Sequence, residues 1–449
     1  MALGFIALPA RMLEGEVRVP GDKSISHRSV MLGSIADGVT RVTGFLCGAD
    51  AIATMQAFRA MGVNIDHQDD QLVIRGVGRD GLAKPDAEID LGNSGTAMRL
   101  MMGLLSGQNF DVRLTGDASL CSRPMQRITE PLSAMGAEFL MSESKAPLSI
   151  LNERRNGRSL SATEYKLPMA SAQVKSAVLM AGLYANGQTC VIEPVPTRDH
   201  TERMLRGFGY EVMARDKQIC LNGGGTLTAM DIDVPADISS AAFFIVGACL
   251  SPDSRIRLNH VGVNPTRTGI VHILKKMGAS IEFENQREVG GEPVADIIVT
   301  GRPLKGIDIP VAWVPLAIDE IPVVAIAAAS ATGITRLTGA EELRVKESDR
   351  IMAIVNALTA LGIQASETPD GFVIQGKGQT DYEQQTAAIF KAGEVQSFDD
   401  HRIAMACSIA SLRASGPVVI HDCENVTTSF PNFVETANLL GLKLEAVAV

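Results

Sequence analysis

"FRAMGVNI", residues 58–65, decides the fold because it recurs. An apolar helix tail ends at Gly62 and a short strand-like segment follows. The pattern returns as LSAMGAEF, LRGFGYEV, LKKMGASI, LTALGIQA and ANLLGLKL, with glycines at 136, 209, 278, 362 and 441. The spacings of 74, 73, 69, 84 and 79 residues are nearly constant. Glycine just past a helix end suits the left-handed closing position. A repeated period is stronger evidence than any single copy. A second helix and strand precede each copy, as in SVMLGSIADG followed by VTRVTG (29–44). Each unit therefore reads loop, helix, strand, loop, helix, strand. So long a period exceeds the usual solenoid repeat. It predicts six small α/β subdomains, divided naturally into two groups of three.

Composition narrows the function. A chain of 449 residues is too long for one ordinary core and predicts two or three domains. The net charge of −10, the 4% aromatic content and the single Trp313 argue against a nucleic-acid partner. The longest apolar stretches, such as Ala241 to Leu250, are about half a membrane span. The opening MALGFIALPAR has no basic region before its apolar run, so no signal peptide is read. Seven scattered cysteines show no CxxC pair and no metal spacing, which predicts reduced thiols and a cytoplasmic protein. No GxxxxGK[ST] loop and no GxGxxG after a strand is present. A soluble protein without membrane or nucleic-acid partners is expected, and a monomer.

The helices VVAIAAAS and FFIVGACL are apolar all round, so they are core helices. Charged and hydroxyl residues gather at helix entrances instead. These are DKSISHR (22–28), GNSGTAMR (92–99), CSRPMQR (121–127), PMASAQVKS (168–176), NPTRTG (264–269), RVKESDR (344–350) and DDHR (399–402). A helix start offers free N–H groups and the positive dipole end, and Lys or Arg there builds an anion site. Ser, Thr, Asp and Asn before a helix are also ordinary caps, and a lone Lys or Arg is usually solvated. Recurrence of basic loops at equivalent places in an acidic chain favours anion binding.

The sequence resembles the 5-enolpyruvylshikimate-3-phosphate synthase family in PGDKSISHR (20–28), LGNSGTAMRL (91–100), GDASLCSRPM (116–125), PMASAQVKSA (168–177), IDEIP (318–322), LRVKESDR (343–350) and FDDHRIAMA (398–406). These stretches span almost the whole chain in family order. The resemblance implies the α/β, two-domain enolpyruvyl transferase fold, with six βαβαββ-type repeats, three per domain. Residues 1–20 with 235–449 would form a discontinuous first domain and 21–234 the second, with the active site in the cleft between them. It also implies the reaction of phosphoenolpyruvate with the 5-hydroxyl of shikimate 3-phosphate, in aromatic amino acid biosynthesis, with no metal or other cofactor. Both substrates are polyanions, so several cations are needed to bring them together.

By resemblance, Lys23, Ser24 and Arg28 contact shikimate 3-phosphate, with Ser171, Ala172, Gln173 and Arg198. Lys23 also reaches phosphoenolpyruvate. Arg123, Arg350 and Arg402 hold phosphoenolpyruvate, and Gly95 gives its phosphate close backbone access. Asn93, Lys346 and His401 complete the substrate-binding set. Asp319 matches the base at the 5-hydroxyl and Glu347 the acid near C3, with Lys23 as a third catalytic group. For Glu320, beside Asp319, a plain surface acid is the alternative reading. In resistant relatives Ala often stands where this chain has Gly95, against the inhibitor glyphosate. The segment VTTSFP (426–431) lacks the lysine that some members carry before the final FP pair, which weakens any substrate contact from that loop.

Two rivals stand beside this reading. The sister transferase acting on UDP-N-acetylglucosamine often has a reactive Cys five residues before the RP arginine, where this chain has Ala118. A noncatalytic anion-binding scaffold would be expected to lose some of the acids or bases. Asp319, Glu347, Lys23 and the arginines are all present.

Overall fold

All six repeat glycines adopt positive φ: 86° at Gly62, 94° at Gly136, 79° at Gly209, 105° at Gly278, 79° at Gly362 and 104° at Gly441. Each ends a helix in the left-handed region that a side chain disfavours. The structure is a computed structural model that describes residues 3–68, 71–378 and 387–448. The chain forms two units. One holds Met1–Pro20, Pro235–Glu288 and Pro293–Val449; the other holds Gly21–Val234 and Val289–Glu292.

The second unit contains three four-stranded sheets on one plan. In the first, Val39–Thr43 and Asn64–Gln68 each pair antiparallel with Gln71–Arg75, and Ile232–Asp233 adds a parallel edge. The plan repeats around Lys145–Ile150, flanked by Val112–Thr115 and Phe139–Ser142, with Ile89–Asp90 parallel. It repeats again around Gln218–Asn222, flanked by Gln188–Ile192 and Val212–Arg215, with Glu164–Lys166 parallel. The first unit uses the same scheme. Arg255–Gly262 pairs antiparallel with Glu292–Thr300 and parallel with Glu14–Val17. Gly371–Lys377 takes Thr332–Leu337 and Gln364–Thr368 on its two sides. Leu3–Leu8 lies between Val418–His421 and Lys443–Ala448, and Gly393–Gln396 adds the parallel edge. Segments distant in sequence thus complete a sheet in each unit: Ile232–Asp233 in one, Glu14–Val17 in the other.

The apolar helices are core, as their composition requires. Ile238–Leu250 and Ile321–Ser330 are buried at every position. In the second unit, helices Gly95–Leu105 and Ala172–Gly182 approach closely. A Cβ at Gly103 would stand 2.2 Å from the Ala177 carbonyl oxygen, so only glycine fits. No helix among the described residues is long and apolar enough to cross a membrane.

One expectation is corrected. Cys190 and Cys220 form a disulfide, so the thiols are not all reduced. They are 30 residues apart, and the antiparallel register of Gln188–Ile192 and Gln218–Asn222 sets them opposite each other. No local spacing pattern announces such a cross-strand pair.

Candidate active site

The capping reading of the helix entrances holds, and the cations stand beside the caps. The Asp22 carboxylate accepts from Ile25 N–H at 2.8 Å, Ser94 from Ala97 at 3.2 Å and Ser171 from Val174 at 3.4 Å. Asp349 and Asp400 cap the helices that start at Arg350 and His401. Each helix start is thereby fixed, and so is the residue next to it.

In the second unit, helix Lys23–Ser34 supplies the first cations. Lys23 forms an ion pair with the buried Asp50. Arg28 is buried and donates Nε to Thr201 Oγ1 at 2.7 Å, Nη1 to the Ser24 carbonyl at 2.9 Å and Nη2 to Ser176 Oγ at 2.9 Å. All three acceptors are neutral. Burial pushes the guanidinium down to about 10, against the pull of Glu202 and Asp22, and nearby Arg198 pushes the same way as burial. A buried cation held only by neutral oxygens gains strongly from an incoming phosphate or carboxylate.

The Gly95 helix brings a second group. Arg123 Nη2 donates to Asn93 Oδ1 at 2.7 Å and to Ser119 Oγ at 3.1 Å, and Nη1 donates to the Asn93 carbonyl at 3.3 Å. Asn93 is itself tied to Asp117 at 2.7 Å. A Cβ on Gly95 would lie 3.1 Å from Arg123 Nη1. Gln173 donates to Thr96 Oγ1 at 3.1 Å and accepts from Arg99, joining its own helix, which starts at Ala172, to the Gly95 helix. His27 links the same region: its ring lies 2.8 Å from Thr54 Oγ1 and 3.5 Å from Ser94 Oγ.

In the first unit, Arg350 is the hub. Its side chain is fully buried, with Nε 2.8 Å from Asp400, Nη2 2.6 Å from Glu347 and Nη1 3.4 Å from Asp319. Burial alone would lower its pKa, but Asp400, Glu347 and Asp319 outweigh it and the net direction is up. Asp319 also has Lys346 at 3.9 Å and Arg402 at 3.8 Å, and Arg402 donates to the Asp319 carbonyl at 3.1 Å. Lys346 pairs with Glu342 at 3.0 Å. His401 opens the helix that carries Arg402. Both candidate acids thus share one guanidinium fork, whose planar geometry fixes their orientation.

Sequence reasoning missed several residues. Asp400 lies inside the DDHR motif but was passed over for its neighbours, although the doubled acid ahead of a basic pair was a usable signal. Asp50 carried none, while Arg99 stands in the GNSGTAMR stretch as the one cation of that helix entrance. Lys175 did carry one, as a charge inside an otherwise apolar helix. Glu320 needs correcting: it is 1% exposed, and one oxygen accepts from Ser239 Oγ, so it is no surface acid. Helix Ile321–Ser330 is buried at every position and draws the Glu320 cap inward with it.

Comparison with known proteins places these residues in context. Residues 9–437 match the family model described as EPSP synthase (3-phosphoshikimate 1-carboxyvinyltransferase). The chain is 60% identical over 443 residues to the 3-phosphoshikimate 1-carboxyvinyltransferase of Methylococcus capsulatus, covering 98% of each. It is 56% identical to that of Hydrogenovibrio crunogenus, covering 99% of each. Among solved structures it resembles EPSP synthase from Acinetobacter baumannii with a TM-score of 0.88 and 53% identity, covering 99% of this chain and 100% of that one. The enolpyruvyl transferase NikO from Streptomyces tendae shares the fold at a TM-score of 0.79 and 15% identity, covering 100% of this chain and 99% of that one.

Proposed function

The chain belongs to the EPSP synthase family, and from that premise we propose that the residue groups of its two units act on one pair of substrates. The reaction moves the enolpyruvyl group of phosphoenolpyruvate to the 5-hydroxyl of shikimate 3-phosphate, a step of the shikimate pathway. The hydroxyl oxygen bonds to C2 of phosphoenolpyruvate while C3 takes a proton, giving a tetrahedral intermediate. C3 then returns a proton as the bond from C2 to the phosphate oxygen breaks. The products are 5-enolpyruvylshikimate 3-phosphate and phosphate.

In this reading Lys23, Ser24, Arg28, Ser171, Ala172, Gln173 and Arg198 hold shikimate 3-phosphate. Gly95, Arg123, Arg350 and Arg402 hold phosphoenolpyruvate, and Asn93, Lys346 and His401 complete the set. Asp319 takes the hydroxyl proton, Glu347 serves C3, and Lys23 touches both substrates. The observation that carries the reading is Arg350, one buried guanidinium engaging both Asp319 and Glu347. Two acids held on one rigid fork keep a fixed separation, as two proton transfers at neighbouring atoms require. Two phosphorylated substrates support a cytoplasmic location, and a chain carrying both groups supports a monomeric enzyme. The test is phosphate release in Asp319→Asn and Glu347→Gln. Each should lower kcat about 10²- to 10⁴-fold. Unchanged kcat in both would remove them from the chemistry.

A further inference from the structure

Lys175 is 1% exposed in the first turn of helix Ala172–Gly182, and the reaction gives it no task. Its Nζ lies 2.7 Å from Glu202 Oε1, 3.2 Å from Glu193 Oε2 and 3.4 Å from the Thr197 carbonyl. Glu193 in turn accepts from Thr197 N–H at 3.2 Å, one residue before Arg198. A step along both helices stands Arg28, bonded to Ser176 and Thr201, the direct neighbours of Lys175 and Glu202. Ser176 and Thr201 are themselves bonded at 2.8 Å. Two buried cations therefore lie side by side, and one carboxylate, Glu202, lies within electrostatic reach of both. Glu202 is hydrogen-bonded to Lys175 and not to Arg28. Its other oxygen, Oε2, is buried with no hydrogen-bond partner among the described residues.

We infer that Lys175 is a positioning residue for shikimate 3-phosphate: it holds the Glu202 carboxylate so that the Arg28 guanidinium stays available to the ligand's anionic group. The inference rests on the reading of Arg28 as a shikimate 3-phosphate contact. An orphaned carboxylate oxygen beside a buried guanidinium is a ready internal competitor, since a charged acceptor outbids a hydroxyl. Lys175 outcompetes Arg28 for that carboxylate by direct contact. Removing its charge leaves Glu202 to swing its affinity to Arg28, which then meets the substrate already neutralised. Because the effect passes through Arg28, it falls on one substrate and spares the other.

The experiment compares wild type, Lys175→Met, and Lys175→Met with Glu202→Gln, with both substrates varied. Wild-type turnover of shikimate 3-phosphate is measured first; its absence refutes the functional reading and not this inference. Given turnover, Lys175→Met should raise KM for shikimate 3-phosphate at least about tenfold while KM for phosphoenolpyruvate and kcat stay within about twofold. The double variant, which has lost the competing carboxylate, should return to within about threefold of the wild-type KM. A merely structural lysine gives no such split and no rescue. The inference is overturned if KM for shikimate 3-phosphate is unchanged in Lys175→Met, or if both KM values move together. Should Lys175→Met not fold, the double variant decides alone: it loses one charge of each sign, and a tenfold rise in its KM for shikimate 3-phosphate overturns the inference.

Discussion

Arg350 Nε lies 2.8 Å from Asp400 Oδ2, and neither side chain is exposed. Asp400 also caps its own helix through the Arg402 N–H at 2.9 Å and accepts from Ser348 at 3.1 Å. Removing one partner of a buried pair costs about 3 to 5 kcal/mol when the other charge is left alone; Arg350 keeps Glu347 and Asp319, which sets the expectation at the lower end. Asp400→Ala should therefore lower the melting temperature by at least about 6 °C, given about 2 to 4 °C per kcal/mol for a unit of this size. Calorimetry reads it. A change of less than about 2 °C, which corresponds to less than about 1 kcal/mol, would mean Arg350 is held by Glu347 and Asp319 alone.

His27 predicts a pH dependence of stability. Burial, then Lys23 and Arg28, hold its pKa well below the ordinary 6.5, with Asp22 opposing. The unfolded chain thus takes up a proton that the folded chain refuses. The stabilising contribution is complete above 6.5 and is lost as pH falls through that value toward the folded pKa. The slope approaches about 1.4 kcal/mol per pH unit. His27→Asn should flatten the acid limb of denaturant stability by about that amount below about pH 6. Identical limbs for both proteins would contradict the burial of a neutral imidazole.

The architecture was legible where one physical requirement recurs. Gly62 and its five counterparts were readable because a left-handed helix end demands the same residue each time. Strands such as Gln71–Arg75 were not separated by residue pattern, since five residues after a turn carry too little alternation. Ile89–Asp90 and Ile232–Asp233 are two residues long and have no period at all. In the site, cations were legible because they cluster at helix starts. Their buried counter-charges were not: Asp50, Glu193 and Glu202 gain meaning only when packing brings them to Lys23 and Lys175. The Cys190–Cys220 pair was hidden for the same reason, being set by register.

Arg28 and Lys23 should fail differently. On the proposed roles, Arg28→Ala removes a cation from one substrate and should mainly raise KM for shikimate 3-phosphate. Lys23→Ala should lower kcat as well. A lost charged hydrogen bond in a closed site costs about 2 to 4 kcal/mol. Steady-state kinetics with each substrate varied separates the two. Near-normal turnover in Lys23→Ala would refute its dual role.

Gly95 sets the space beside Arg123. An added methyl meets Arg123 Nη1 at 3.1 Å, tighter than ordinary contact, and the neighbour must yield. The guanidinium that must shift is the one proposed to hold phosphoenolpyruvate, where glyphosate competes, and a misfit of about 1 to 3 kcal/mol there should weaken glyphosate inhibition about 5- to 150-fold in Gly95→Ala. The inhibition constants of both proteins, at matched phosphoenolpyruvate saturation, are the measurement. Equal constants would place the limiting contact elsewhere.

The account stands most directly on which acceptor the enzyme uses. Phosphate release from phosphoenolpyruvate, in buffer without added metal, is followed with shikimate 3-phosphate and then with UDP-N-acetylglucosamine. Continuous release with shikimate 3-phosphate, and 5-enolpyruvylshikimate 3-phosphate as the product, is the predicted result. Release with UDP-N-acetylglucosamine alone, or with neither acceptor, would contradict it.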